Sequence, residues 1–170
     1  LTPKRISENF KEGIMEIEDF GDKTLHDYVN KSKNKLSFYK RCVDVILKIQ
    51  KIKPVKKIKF SSNKYLNFNT YNNKSLHKES DLFFDWYLNY CFKSSNLKKI
   101  KNILKKELTK IYRKLYFQNN TFVHRDFHAS NIMVNKNKLG LIDSQDAIIG
   151  NPLYDVASLI DDVRIKLPSN

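Results

Sequence analysis

Three oxygen-bearing side chains stand out by type and spacing: Asp126, Asn131 five residues later, and Asp143 at the end of an apolar run. Asp126 and Asn131 share a polar loop, His124-Arg125-Asp126-Phe127-His128-Ala129-Ser130-Asn131, between the apolar segments Thr121-Phe122-Val123 and Ile132-Met133-Val134. Moving a phosphoryl group asks little covalent chemistry of a protein. It needs a carboxylate to orient the attacking hydroxyl and accept its proton, and oxygen ligands for Mg²⁺ on the nucleotide phosphates. Asp126 can be the first. Asn131 offers an amide oxygen beyond a compact loop, and Asp143 a charged carboxylate of the kind Mg²⁺ favours, so ATP and Mg²⁺ are the expected cofactors. Each residue alone has an ordinary structural reading, since a loop aspartate commonly caps or turns and a histidine after a strand is commonly hydrogen-bonded scaffold. The ordered set of strand, loop, asparagine, hairpin and strand-end aspartate favours phosphotransfer.

The elements that must position this set are legible in outline. Gly13 to Asp19 alternates apolar and polar residues as a half-buried strand does, and stops at Phe20-Gly21-Asp22, a turn signal. From Leu36 to Ile52, Phe38, Cys42, Val43, Ile46, Leu47 and Ile49 recur at helical spacing, with Ser37 as cap and Pro54 as stop. Residues 53–75, rich in lysine, serine and asparagine, read as a long surface connection. A second helix runs through Glu79, Leu82, Phe83, Trp86, Tyr87 and Tyr90, its aromatics expected in the core, with a second face toward a ligand as the alternative. A third runs from Ile100 to Leu115 with lysines on its wet face. Asn135-Lys136-Asn137-Lys138 reads as a turn into the strand Leu139-Gly140-Leu141-Ile142, and a last helix follows Asn151-Pro152.

A chain of 170 residues, 41% hydrophobic, can bury one substantial core. It has no apolar run of the ~18 residues that a spanning helix needs and no signal-peptide stretch at Leu1-Thr2-Pro3-Lys4-Arg5. The expected location is the cytoplasm, with no membrane partner. Cys42 and Cys91 sit among apolar neighbours and read as reduced, mostly buried thiols. The net charge of +14 admits phosphates of every kind. Yet its lysines are dispersed, as AT-rich coding alone produces, so nucleic acid is not the expected partner. A chain that opens on leucine and breaks off at both ends inside ordered-looking segments reads as a fragment.

The loop matches the kinase catalytic pattern H-R-D-x-x-x-x-N, with a metal-binding aspartate arriving after a hairpin. His124 to Asn131 resembles the catalytic loop of the aminoglycoside phosphotransferase and choline kinase-like family, which has the protein kinase fold and phosphorylates small molecules. Leu141 to Ala147, Gly150-Asn151-Pro152 and Tyr154 to Leu159 resemble its branch of bacterial cell-wall amino-sugar kinases, which act on the anomeric hydroxyl of N-acetylmuramate and N-acetylglucosamine. Ile17 to Asp22 is similar to that branch's interlobe hinge, and Glu79 to Leu88 to its substrate-side helix. The resemblance implies an α+β fold: a mostly helical, protein kinase-like C-terminal lobe with a short β-hairpin at the catalytic loop. Residues 1–22 would be the end of the N-terminal lobe and the hinge, and residues 23–170 the helical catalytic lobe, truncated at its C-terminus.

Carried over by residue, the resemblance makes Asp126 the base or hydroxyl-orienting group, His124 a catalytic-loop residue that shapes the loop, and Asn131 and Asp143 the Mg²⁺ ligands. Glu18 and Phe20, in the hinge, would border the nucleotide. Asp155 would brace the loop from below, or stabilise its own helix through the dipole. Glu79 would face a small-molecule acceptor, expected to be a sugar. Gln145 and Asp146 lie close to the centre as further candidate contacts, and His128 reads either as a contact or as a hydrogen-bonded loop residue. The metal aspartate opens Asp143-Ser144-Gln145, with serine where the branch usually has phenylalanine. Such enzymes cover ATP with an N-terminal lobe bearing a glycine-containing loop and a lysine–glutamate pair, and neither is found here: Gly13 and Gly21 form no G-x-G-x-x-G pattern. The chain by itself is therefore expected to turn over slowly or not at all. Aminoglycoside or choline-like acceptors, and a non-catalytic basic kinase-like binding module, are the competing expectations.

Overall fold

The computed structural model describes residues 1–9, 11–61, 64–92, 96–135 and 138–165. The predicted turn through Lys136 and Asn137, and the end of the expected 23–170 unit, fall outside them. The chain opens on an antiparallel pair, β1 (Arg5–Asn9) and β2 (Ile14–Ile17), turning at Gly13 with φ +68°. The alternation expected to half-bury β2 does not do so: Ile14, Met15 and Ile17 are all exposed, and no described element covers them.

Helix α1 (Leu25–Val29) is started by Asp27, whose carboxylate accepts from both the backbone N and the hydroxyl of Thr24 at 2.9 Å. Helix α2 (Lys35–Gln50) buries Cys42, Val45 and Ile46. Its cap is Asn34, which accepts from Ser37 N, rather than Ser37 itself. The predicted surface connection contains an antiparallel hairpin, β3 (Lys57–Ser61) and β4 (Lys64–Asn67). Its described side chains are all exposed, so no buried face sets a hydrophobic pattern there.

Helix α3 (Asn73–Leu82) passes through a π-helical turn, Phe83–Tyr87, into the short α4 (Leu88–Cys91). The extra residue per turn rotates the faces. Phe84 and Leu88 enter the core, while Trp86 and Tyr90, expected inside, are 75% and 86% exposed. Cys91 is exposed with them, against the expectation of burial, whereas burial pushes the Cys42 thiol up to about 12. Helix α5 (Leu97–Tyr112) lies along α3, tied by Lys105–Asp81 at 2.6 Å.

The rest of the chain builds two antiparallel ladders. Strand β5 (Thr121–Val123) pairs with β8 (Ile148–Gly150), and β6 (Ile132–Asn135) with β7 (Lys138–Leu141). Helix α6 (Tyr154–Ile160) follows. Val123 pairs with Ile148 and Ile132 with Leu141, so residues 124–131 and 142–147 run side by side from one ladder to the other. Between them, Phe127, Ala129, Ile132 and Leu141 pack with Leu25, Val29, Cys42, Ile46 and Leu159 into one core. Phe127 is fully buried, which nails the polar loop to the hydrophobic interior.

Candidate active site

The polar loop is held by hydrogen bonds that arrive from outside it. Asp155, buried on the first turn of α6, accepts from His124 N at 2.9 Å and from Arg125 N at 3.1 Å. Burial drives its carboxyl above the ordinary range, against the pull of those two amides. Asp162, just beyond α6, accepts from Ala129 N at 3.0 Å and from Arg164 N and Nη1 at 3.1 Å. Burial acts on Asp162 too, but these bonds and the Arg164 charge outweigh it, and its carboxyl falls below the ordinary range. Sequence reasoning missed Asp162, since an aspartate past the end of a helix carries no pattern of its own.

Inside the loop, main-chain oxygens carry the structure. Asn131 Nδ2 donates to Asp126 O at 3.1 Å, and His128 N donates to the same oxygen at 3.0 Å. These bonds end on the main chain of Asp126 and not on its half-buried carboxylate. An amide that donates inward through Nδ2 presents Oδ1 from its opposite corner. Ile142 N donates to Asn131 O at 3.1 Å, which fastens the loop to the residue before Asp143. Asp143 is exposed, in a left-handed conformation with φ +65°, and its Oδ1 accepts from Gln145 Nε2.

His124 is buried edge-on against Phe127, and both ring nitrogens are enclosed without a hydrogen-bond partner among the described residues. His128 is half-buried, with Nε2 3.4 Å from Asn131 Nδ2, and burial followed by the Arg164 charge lowers its pKa. Asp146 is exposed on the turn after Asp143. The Glu79 carboxylate faces Arg125: Arg125 Nη2 donates to its Oε1 at 3.0 Å.

Glu18 and Phe20 border a separate cavity of about 460 Å³, with Thr2, Lys138, Leu139 and Gly140. The Phe20 ring lies so close over Gly140 that a Cβ there would stand 2.2 Å from Phe20 Cε2. Gly140→Ala is accordingly expected to displace the ring and to lower stability by about 1–3 kcal/mol, read as a fall in the urea midpoint; an unchanged midpoint would show that the ring moves aside freely.

Among the described residues, no group of three His, Cys, Asp or Glu side chains is placed to hold a metal ion. Asn131 and Asp143 supply two hard oxygen donors on adjoining loops. That donor set fits Mg²⁺, which takes one or two protein oxygens and completes its shell with phosphates and water.

The sequence model of the phosphotransferase enzyme family matches residues 18–170. The chain is 25% identical over 170 residues to an N-acetylmuramate/N-acetylglucosamine kinase of Pseudomonas aeruginosa, covering 98% of this chain and 46% of that protein. It is 24% identical to the kinase of the same name from Caulobacter vibrioides, covering 95% of this chain and 46% of that protein. A third kinase of that name, from Neisseria meningitidis serogroup B, is 28% identical over 96 residues, 56% of this chain and 29% of its own. The chain thus spans about half the length, or less, of these curated relatives. No helix among the described residues is long and apolar enough to cross a membrane.

Proposed function

Because the chain belongs to the phosphotransferase enzyme family, whose members have a protein kinase-like fold, we propose that it is the catalytic C-terminal lobe of an ATP-dependent kinase acting on a hydroxyl of an amino sugar. The observation that carries this reading is the joined pair of loops. Asp126 and Asn131 are bonded within one, and Ile142 ties Asn131 to the other one residue before Asp143. Residues 1–22 are assigned to the end of the N-terminal lobe and the hinge, with Glu18 and Phe20 beside the nucleotide, and residues 23–170 to the catalytic lobe.

In this mechanism the acceptor hydroxyl donates a hydrogen bond to Asp126. The new oxygen–phosphorus bond forms as the bond from the γ-phosphorus to the bridging oxygen breaks. The hydroxyl proton passes to Asp126, and ADP leaves. Asn131 and Asp143 would hold Mg²⁺, which when bound neutralises charge on the phosphates. His124, walled in by Phe127, keeps the loop's shape. Gln145 and Asp146, exposed beside Asp143, and His128 in the loop are assigned to the acceptor side. The names of the relatives support an amino sugar as acceptor.

The test is ADP release by the full polypeptide carrying this chain, offered N-acetylmuramate, N-acetylglucosamine, choline and an aminoglycoside. Turnover with either amino sugar is expected, and failure on both would sink that acceptor class. Asp143→Asn should raise the Mg²⁺ concentration for half-maximal rate by roughly tenfold or more, the scale on which metal affinity responds even to lost outer contacts. An unchanged Mg²⁺ requirement would take the metal away from Asp143.

A further inference from the structure

We propose that Glu79 is a positioning residue, which acts on Asp126 through Arg125 and does not touch the acceptor. Arg125 immediately precedes Asp126 and has φ +75°, a left-handed conformation that side chains larger than glycine's avoid. Something must hold it there. Its backbone N is fixed by Asp155 at 3.1 Å, and its guanidinium by Glu79 Oε1 at 3.0 Å, so the residue is gripped at both ends.

Glu79 in turn accepts two further hydrogen bonds. Tyr154 OH, from α6, donates to Oε1 at 3.3 Å, and Tyr71 OH donates to Oε2 at 2.5 Å. The two tyrosine rings pack edge to face at 5.3 Å. Burial, then the bond to Glu79, holds the Tyr71 hydroxyl well above its ordinary pKa, so it stays protonated and donating. Three of the roughly four acceptor sites of the Glu79 carboxylate are taken by Arg125, Tyr154 and Tyr71, so the fold spends this group on its own contacts. It joins α3, α6 and the residue whose turn aims Asp126. This departs from the acceptor-facing role implied by the resemblance.

The inference rests on the phosphotransferase reading for its kinetic consequence but not for the tie itself, and the test separates them. In the full polypeptide, Arg125→Gly frees the backbone to adopt φ +75° while removing the anchor. It is expected to lower kcat roughly 10²-fold, the cost of misplacing a reacting group by about 1 Å, with acceptor KM within about twofold. Glu79→Gln should lower kcat less, also without raising KM. The double variant should match Arg125→Gly within about twofold, because Glu79 acts only through Arg125.

Additive losses in the double variant, a raised KM in Glu79→Gln, or wild-type kcat in Arg125→Gly would each overturn the proposal. If the parent polypeptide releases no ADP with any of the acceptors offered, the kinase reading fails by itself. Amide exchange then still decides the tie: faster exchange across residues 124–131 in both single variants supports it, and unchanged exchange overturns it.

Discussion

Replacing Asp126 by asparagine is expected to cut phosphoryl transfer by about 10²–10⁴-fold, the contribution of a positioned general base, while leaving the protein as stable as its parent. Two features make this separation sharp. The bonds that shape the loop end on the main-chain oxygen of Asp126, not on its carboxylate. The substitution is also isosteric, so neither Asn131 nor His128 loses a partner. ADP release under saturating ATP measures the first part and a urea midpoint the second. An Asp126→Asn polypeptide within tenfold of parental kcat would move the base to another residue. A large fall in stability would mean that the carboxylate carries structural duty after all.

Asp155→Ala should behave in the opposite way, with a large loss of stability. The substitution strands two inward amides, of His124 and Arg125. Each unmade bond costs roughly 1–3 kcal/mol, so the unfolding free energy should fall by about 2–6 kcal/mol with an unchanged denaturant slope. Asp155→Asn keeps one accepting oxygen and should lose about half of that. The pH dependence carries a further signature. The folded carboxyl of Asp155 lies above its ordinary value. Between the two values the folded state therefore holds a proton that the unfolded chain has released, and this group weakens the fold as pH rises through that window. Asp162 is shifted downward, so its contribution is present above the ordinary carboxylate value and is lost as pH falls through the lowered one. Asp155→Asn should erase the first dependence and spare the second. Loss of both would show that the two carboxylates titrate as one unit.

The parts of the site that sequence disclosed share a property: their partners are near in sequence or repeat at a fixed spacing. Asp126 and Asn131 lie in one loop, and Asp143 follows a hairpin whose apolar alternation announces itself. What escaped depends on distant partners or broken periodicity. The Arg125–Glu79 pair joins residues 46 apart, and no local pattern marks either as the other's partner. The aromatic helix was legible as a helix, but its buried face was not, because the π-helical turn at Phe83–Tyr87 shifts which residues point inward. Ser37 looked like the cap of α2 by residue type, yet Asn34 takes the role by accepting from Ser37 N. The β3–β4 hairpin was hidden by lysine and asparagine on strands whose described side chains are exposed, where neither face imposes a hydrophobic code.

The carboxylates that hold the loop come 30, 31 and 33 residues after the amides they bind. At about 5–20 residues per second of synthesis, a nascent chain waits roughly 1.5–6 s between making His124 and making the group that fixes it. Through that interval Phe127 can already bury itself, but the backbone N of Arg125 has no acceptor to hold it. A chain stopped ahead of α6 would therefore hold the bonds among residues 126, 128, 131 and 142 but none of the carboxylates that clamp the loop from outside. The loop's outer clamp arrives only with α6 and the residues just beyond it.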